Sequence, residues 1–209
     1  CRVLRAHKNF LFALNLSEVT EKPDSYRWST AADINGLPYT WDETDTSGLA
    51  GIASLGGDGG DIVDGLTLRD SFIIYSRNAI DVLDYTGGEF IWRRRELSNT
   101  IGLLNTNCVV EANGHHYFIT ASDVMRTDGT TITSIIHGIV KQKFFDELDM
   151  TRFKQCFVMH NVNLNEVWFC IPTGGTDYPS VAYVFNWEDE SWAIRDLPNC
   201  AFAAFGILY

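Results

Sequence analysis

Basic residues are scarce in this 209-residue chain: 16 Lys and Arg stand against 27 Asp and Glu, for a formal charge of −11. A surface that grips phosphate needs clustered Lys and Arg, because that attraction dominates nucleic-acid affinity, so tight binding to DNA or RNA by net charge is excluded. Apolar runs are short. None approaches the ~18 to 20 residues of a membrane helix, and no basic segment followed by an apolar stretch and a cleavage site marks a secretory signal. The five cysteines, Cys1, Cys108, Cys156, Cys170 and Cys200, are widely spaced, odd in number and without a CxxC. That pattern excludes a disulfide framework and a zinc site of ordinary spacing, and leaves buried reduced thiols as the expectation. Catalytic signatures are missing too. There is no GxSxG, HExxH, Walker A or GxGxxG, and the Gly-rich GGDGGD at 56–61 carries acids where a phosphate cradle would want Lys.

Hydrophobic residues make up 45% of the chain and aromatics 13%, with six Trp, which is enough to fill a core and leans toward sheets. Short apolar runs bounded by Asn, Ser and charged residues read as strands: NFLFALN (9–15), SFIIYS (71–76), HHYFIT (115–120), FVMHN (157–161), EVWFCI (166–171) and VAYVFNW (181–187). Between them lie Gly87-Gly88, Asn113-Gly114, Asp128-Gly129, Gly174-Gly175 and the Glu188-Asp189-Glu190 tip, all suited to hairpin connections. The strands near Phe72, Phe118 and Trp168 recur at roughly 45 to 50 residues, the period of four-stranded propeller blades. In NEVWFCIP, apolar side chains alternate on both faces. A blade buries both faces of its middle strands against its neighbours, whereas a sandwich strand exposes one, so a propeller fits better than a sandwich.

The fold expected is therefore all-β and mostly antiparallel, a single propeller-like domain over 1–209 with blades of about 45 to 60 residues. Two stretches interrupt it. Residues 42–61 are rich in Gly, Asp, Ser and Thr and read as a long loop. Residues 139–155 place Ile139, Phe144, Phe145, Leu148 and Phe153 at near-helical spacing and read as a short helical insertion. The start at Cys1, inside an alternating segment, reads as part of a longer or processed chain.

Phe72, Phe118, Trp168, Phe169, Tyr183, Phe185, Trp187 and Trp192 are expected in the core between sheets. Trp41 and Tyr39, in the loop GLPYTWDETDTSG, and Phe144 and Phe145, in the helical insertion, are candidates for contact with another subunit. Arg93, Arg94 and Arg95 form the only basic cluster and are expected to protect an edge strand. Asp58, Asp61 and Asp64, or Asp42 and Asp45, could meet a cation, but neither set has EF-hand spacing, and solvated loop acids are the plainer reading. His115 and His116 are adjacent, so on a strand they point to opposite faces and cannot share a metal. Nothing in the spacing of the acids selects a glycosidase pair. No cofactor and no catalytic residue is expected.

The stretches KNFLFALN, RWSTAADINGLPYTWD, DGLTLRDSFIIYS, NCVVEANGHHYFITASDVMRTDG and NEVWFCIPTGGTDYPSVAYVFNWEDESWAIRDLPN resemble the propeller part of the tail nozzle proteins of short-tailed bacteriophages, also called tail tubular protein B. The likeness runs from about Lys8 to Asn199; its most specific pieces are the NEVW strand, the YVFNWEDESW hairpin and the RDLPN ending. It implies a structural virion component rather than an enzyme. Six copies would form a ring at the far end of the tail, joined to the tail adaptor, with fibres or spikes nearby and double-stranded DNA passing through the channel without tight binding. An acidic wall suits that task, since it does not hold phosphates. The alternative reading is a receptor- or glycan-binding propeller module of a phage tail.

Overall fold

Hairpins between neighbouring strands generate the architecture. Residues 1–45, 48–88 and 90–204 are described by the computed structural model; Thr46 and Ser47, part of the expected 42–61 loop, lie outside them. The described residues form four four-stranded antiparallel sheets, each a meander in chain order. They pack as two compact units, Cys1–Gly102 and Leu103–Tyr209, where the sequence reads as a single domain.

In the first unit, β1 (Val3–His7), β2 (Phe10–Ser17), β3 (Glu21–Trp28) and β4 (Gly51–Ser54) make one sheet. The second sheet holds β5 (Ile62–Leu68), β6 (Ser71–Ser76), β7 (Ile80–Tyr85) and β8 (Trp92–Ser98). Pro23 sits inside β3, where a proline would ordinarily break the ladder. The β2–β3 register shifts between Leu14 and Leu16, and Pro23 falls in that irregularity, where no ladder N–H is required. β4 lies inside the stretch expected to be loop; it pairs with Ser25–Trp28 of β3. Its few large side chains hid it, because Gly51 supplies space for a neighbour rather than bulk of its own.

Between these two sheets lies a core of Phe10, Phe12, Leu14, Tyr26, Phe72, Ile74 and Leu83, among others. Phe12 and Phe72 stack with ring centroids 4.4 Å apart. The sheets approach closely because position 65 is glycine: a Cβ there would stand 2.7 Å from Leu14 and 2.7 Å from Phe72. An ion pair between half-buried Arg5 and buried Asp64 crosses the same seam. Arg5 donates two hydrogen bonds of 2.9 Å to the Asp64 carboxylate and a third, of 3.1 Å, to the Gly65 carbonyl. The opposite face of the second sheet is equally apolar, with Ile73, Tyr75 and Val82 all fully buried.

In the second unit, β9 (Val109–Ala112), β10 (His115–Ile119), β11 (Val124–Thr127) and β12 (Ile132–Ser134) form one sheet. The other comprises β13 (Phe157–Asn161), β14 (Glu166–Ile171), β15 (Val181–Asn186) and β16 (Trp192–Asp196). Asn113 and Gly114, with φ of 50° and 70°, make the two-residue turn from β9 to β10. Between the sheets run α1 (Gly138–Glu147) and a 3₁₀ stretch, Met150–Gln155.

β14 shows why NEVWFCIP is apolar on both sides. Val167, Phe169 and Ile171 are fully buried on one face. Around this face Phe185 meets Tyr117 of the other sheet at 6.0 Å and Tyr183 meets Phe144 of α1 at 4.9 Å. On the other face Cys170 joins Phe157, Ala182 and Val184, covered by Trp168, Met159 and the chain's own Leu197, Cys200 and Ala203. One face therefore meets another sheet and a helix, and the second is closed by the segment that follows β16.

Candidate functional site

Of the eight side chains expected in the core, Phe72, Phe118, Phe169, Tyr183 and Phe185 are buried. Trp168, Trp187 and Trp192 are only half-buried, a correction to the expectation. Trp187 follows the end of β15 and Trp192 opens β16, while Trp168 lies mid-strand in β14 and packs at the border of the Phe157–Val184 cluster. The Trp168 indole N–H donates to Glu166 (2.8 Å), and the Arg195 guanidinium sits 5.4 Å above its ring. Trp192 donates to the Ile135 carbonyl (3.2 Å) while lying on Phe169 and Phe185. Trp187 packs edge-on to His160 at 4.9 Å.

The four expected subunit-contact residues separate. Phe144 is fully buried, so it is not available to another chain; it is the one buried residue of α1 and the anchor that holds the helix on Tyr183. Phe145 remains half-exposed beside it. Tyr39 is 89% exposed and stands with Ile34 and Leu37 on a turn bound by Asp33, whose carboxylate accepts from the Asn35 and Leu37 amides. Trp41 is half-buried and lines a hollow of about 280 Å³ with Leu4, Ala13, Leu16 and Arg27. It covers the outer face of the first sheet.

Two members of the arginine cluster are spent in cross-strand ion pairs. Arg94 donates to Asp81 (2.8 Å) and also to the Leu55 carbonyl, and Arg95 pairs with Asp84 at 3.0 Å. These pairs pin the edge strand β8 to β7. Asp81 and Glu96 face each other across those strands and line a hollow of about 220 Å³ with the Gly-rich 56–60 turn. Burial pushes the Asp81 carboxyl above the usual carboxylate range, opposed by Arg94. Asp81 is nevertheless committed to Arg94, and the hollow pairs no nucleophile with a base.

The acids offered for a cation do not gather. Asp64 is buried and bound by Arg5, while Asp42 caps Thr44. Among the described residues no group of three or more His, Cys, Asp or Glu is placed to hold a metal. His116 is buried, and the His115 ring meets the Asn113 carbonyl at 3.0 Å. Among the described residues the cysteines are free thiols. Burial pushes Cys156 up to about 12 and Cys170 further, so both stay protonated and unreactive.

A further hollow, about 480 Å³, was not legible in the sequence. It belongs to the first unit and is lined by Trp28, Glu43, Asp45, Leu49, Phe90 and Trp92, together with backbone of neighbouring turns. Trp28 ends β3 and its ring lies over Gly51, where a Cβ would come within 2.3 Å of it. Its indole N–H donates to the Leu49 carbonyl at 2.7 Å, which ties the returning loop to the sheet. Trp92 opens β8, fixed by Phe10 (5.4 Å), Phe12 (5.0 Å) and Tyr85 (5.3 Å). Phe90 stands 81% exposed on a turn closed by the Thr86 amide donating to Ile91 (2.9 Å) and the Thr86 hydroxyl donating to Phe90. Glu43 is held by Arg27 at 3.1 Å. The one sequence signal for this hollow was an aromatic doublet, Phe90 and Trp92, placed right after the Gly87-Gly88 turn. Comparison of the chain with protein-family models and with curated proteins returns no match.

Proposed function

We propose that this chain is a structural component of a phage tail, part of a ring-shaped nozzle that joins the tail adaptor and surrounds the DNA exit channel. One observation carries the reading: four successive meander sheets of four strands each, in stretches that resemble nozzle proteins. In that reading each sheet is a propeller blade. KNFLFALN is the turn into β2 and most of that strand, NEVWFCIP is β14 with its flanks, and YVFNWEDESW is the turn from β15 into β16 with the adjoining strand residues. The first strand of each later sheet lies against the preceding sheet of its own unit, β5 against β1 and β13 against β9, as inner blade strands do. The charge of −11 suits a wall that DNA must slide past. The exposed Ile34, Leu37 and Tyr39 turn and the outward side of α1, with Ile139 84% exposed, are the surfaces offered to neighbouring copies and to the tail adaptor, fibres or spikes.

Cryo-electron microscopy of the virion that carries this chain, with sedimentation of the purified protein, tests the proposal. Six copies ringed around a channel at the tail tip support it. A protein absent from the particle, or monomeric at every concentration, would overturn it.

A further inference from the structure

The last strand of the fourth sheet, β16, has one open side. In its ladder with β15 the Asn186 amide donates to the Ser191 carbonyl (3.0 Å) and the Leu197 amide to the Ser180 carbonyl (2.7 Å). Bonded pairs alternate along an antiparallel ladder. Ala193 and Arg195 therefore turn their N–H and C=O groups to β15, while Trp192, Ile194 and Asp196 turn theirs outward. Among the described residues nothing takes those six outward groups. Residues 193–196 are all exposed, with Ile194 44% accessible at the centre of the strand. The corresponding end strands of the other sheets are better guarded. β4 and β12 are only four and three residues long, and β8 carries Arg93, Arg94 and Arg95; short or charged edges resist pairing.

The open edge is complementary to itself. With two copies of β16 antiparallel about a two-fold axis at Ile194, outward groups meet outward groups along the whole strand. Ile194 then faces its own counterpart, Trp192 faces Asp196 and Ala193 faces Arg195, so no like charges stand opposite each other. Arg195 is already turned to its own Trp168 ring. A slip of two residues one way would set Arg195 against Arg195, and the other way Glu190 against Asp196, which like-charge repulsion disfavours. We propose that two copies of this chain pair through their β16 edges, joining their fourth sheets into one intermolecular sheet. An edge contact is small, so the pair is weak and grows with concentration. This inference rests on the second unit alone and stands apart from the tail reading, because a ring joins unlike surfaces head to tail whereas this contact is two-fold.

Sedimentation of the purified chain from about 5 to 500 μM tests it. A two-chain species that grows with concentration is expected. Ile194→Pro removes an outward N–H without touching the β15 ladder, and Ile194→Lys sets two ammonium groups face to face. Each should raise the dissociation constant roughly tenfold or more while melting close to the parent. An equal mixture of Ile194→Lys and Ile194→Asp should recover the pair, since only a register with position 194 opposite itself sets those two side chains against each other. A parent that stays a single chain throughout, a pair untouched by Ile194→Pro and Ile194→Lys, or a mixture that stays unpaired would overturn the proposal. Rings of six are scored in the particle and pairs in solution, so either reading can fail without the other.

Discussion

His7 is the residue most exposed to pH. It is 2% accessible and its ring lies 5.5 Å from Phe72 and 5.6 Å from Trp92, with Nδ1 against the Thr67 hydroxyl at 2.9 Å. Burial first, then the neighbouring Lys8 charge, lowers its pKa from 6.5 to about 4. A base whose folded pKa is depressed is neutral when folded and takes a proton more readily when unfolded. Stability is therefore full above pH 6.5 and falls as the pH drops from there toward 4, by on the order of 3 kcal/mol for this group. Urea midpoints at about pH 7 and about pH 4.5 should differ less in His7→Gln than in the parent; an equal drop in both would show that His7 is not the source. Asp81, with its raised pKa, acts in the opposite sense and is common to both proteins. Two glycines make a sharper residue-scale case. Gly65→Ala drives a methyl to 2.7 Å from two core side chains, and Gly51→Ala drives one into the Trp28 ring. Overpacking of this kind costs about 1 to 3 kcal/mol. A shift of that size in the melting transition is expected for each, and a variant as stable as the parent would show that the sheets can part there.

At the scale of elements, α1 depends on one side chain. Of its ten residues only Phe144 is buried, edge-on to Tyr183, while the Tyr183 hydroxyl donates to Glu147 at 2.7 Å. Phe144→Ala should cost roughly 3 to 5 kcal/mol and loosen the helix before the sheets. Faster hydrogen exchange confined to 138–148 is the expected reading; a change spread over β9–β12 would mean the helix is integral to the sheet. Trp168, half-buried rather than enclosed, carries less. Its truncation should cost nearer 2 kcal/mol than the full price of a core Trp. The apolar runs SFIIYS and EVWFCI coincide with β6 and β14 because a middle strand buried on both faces leaves no polar alternation to confuse its ends. β3 and β4 were hidden for the opposite reason. One carries Glu21, Lys22, Pro23 and Asp24, and the other is four small or aliphatic residues, so neither shows a strand pattern until its partners are in place.

For the whole molecule, charge is the dominant surface property. At −11, with Arg5, Arg94 and Arg95 paired to Asp64, Asp81 and Asp84, the chain should not retard double-stranded DNA at about 0.15 M salt. A mobility-shift assay with saturable binding would contradict that, and with it the idea of a wall that DNA slides past. Arg94 and Arg95 read as unpaired in the sequence because their acids lie 11 to 13 residues away across a hairpin.

The sequence by itself determined that the chain is mostly antiparallel β, where some of its hairpins turn, and that both faces of β14 are covered. Those properties follow from local periodicity and turn chemistry. Tertiary structure decided the rest: which aromatics are enclosed and which border solvent, that Phe144 faces inward, and that Trp28, Glu43, Asp45, Phe90 and Trp92 share one groove. Those residues span more than sixty positions in the chain, and no local pattern links them. They meet because the ends of β3 and β8, on two different sheets, come to the same place when the sheets pack.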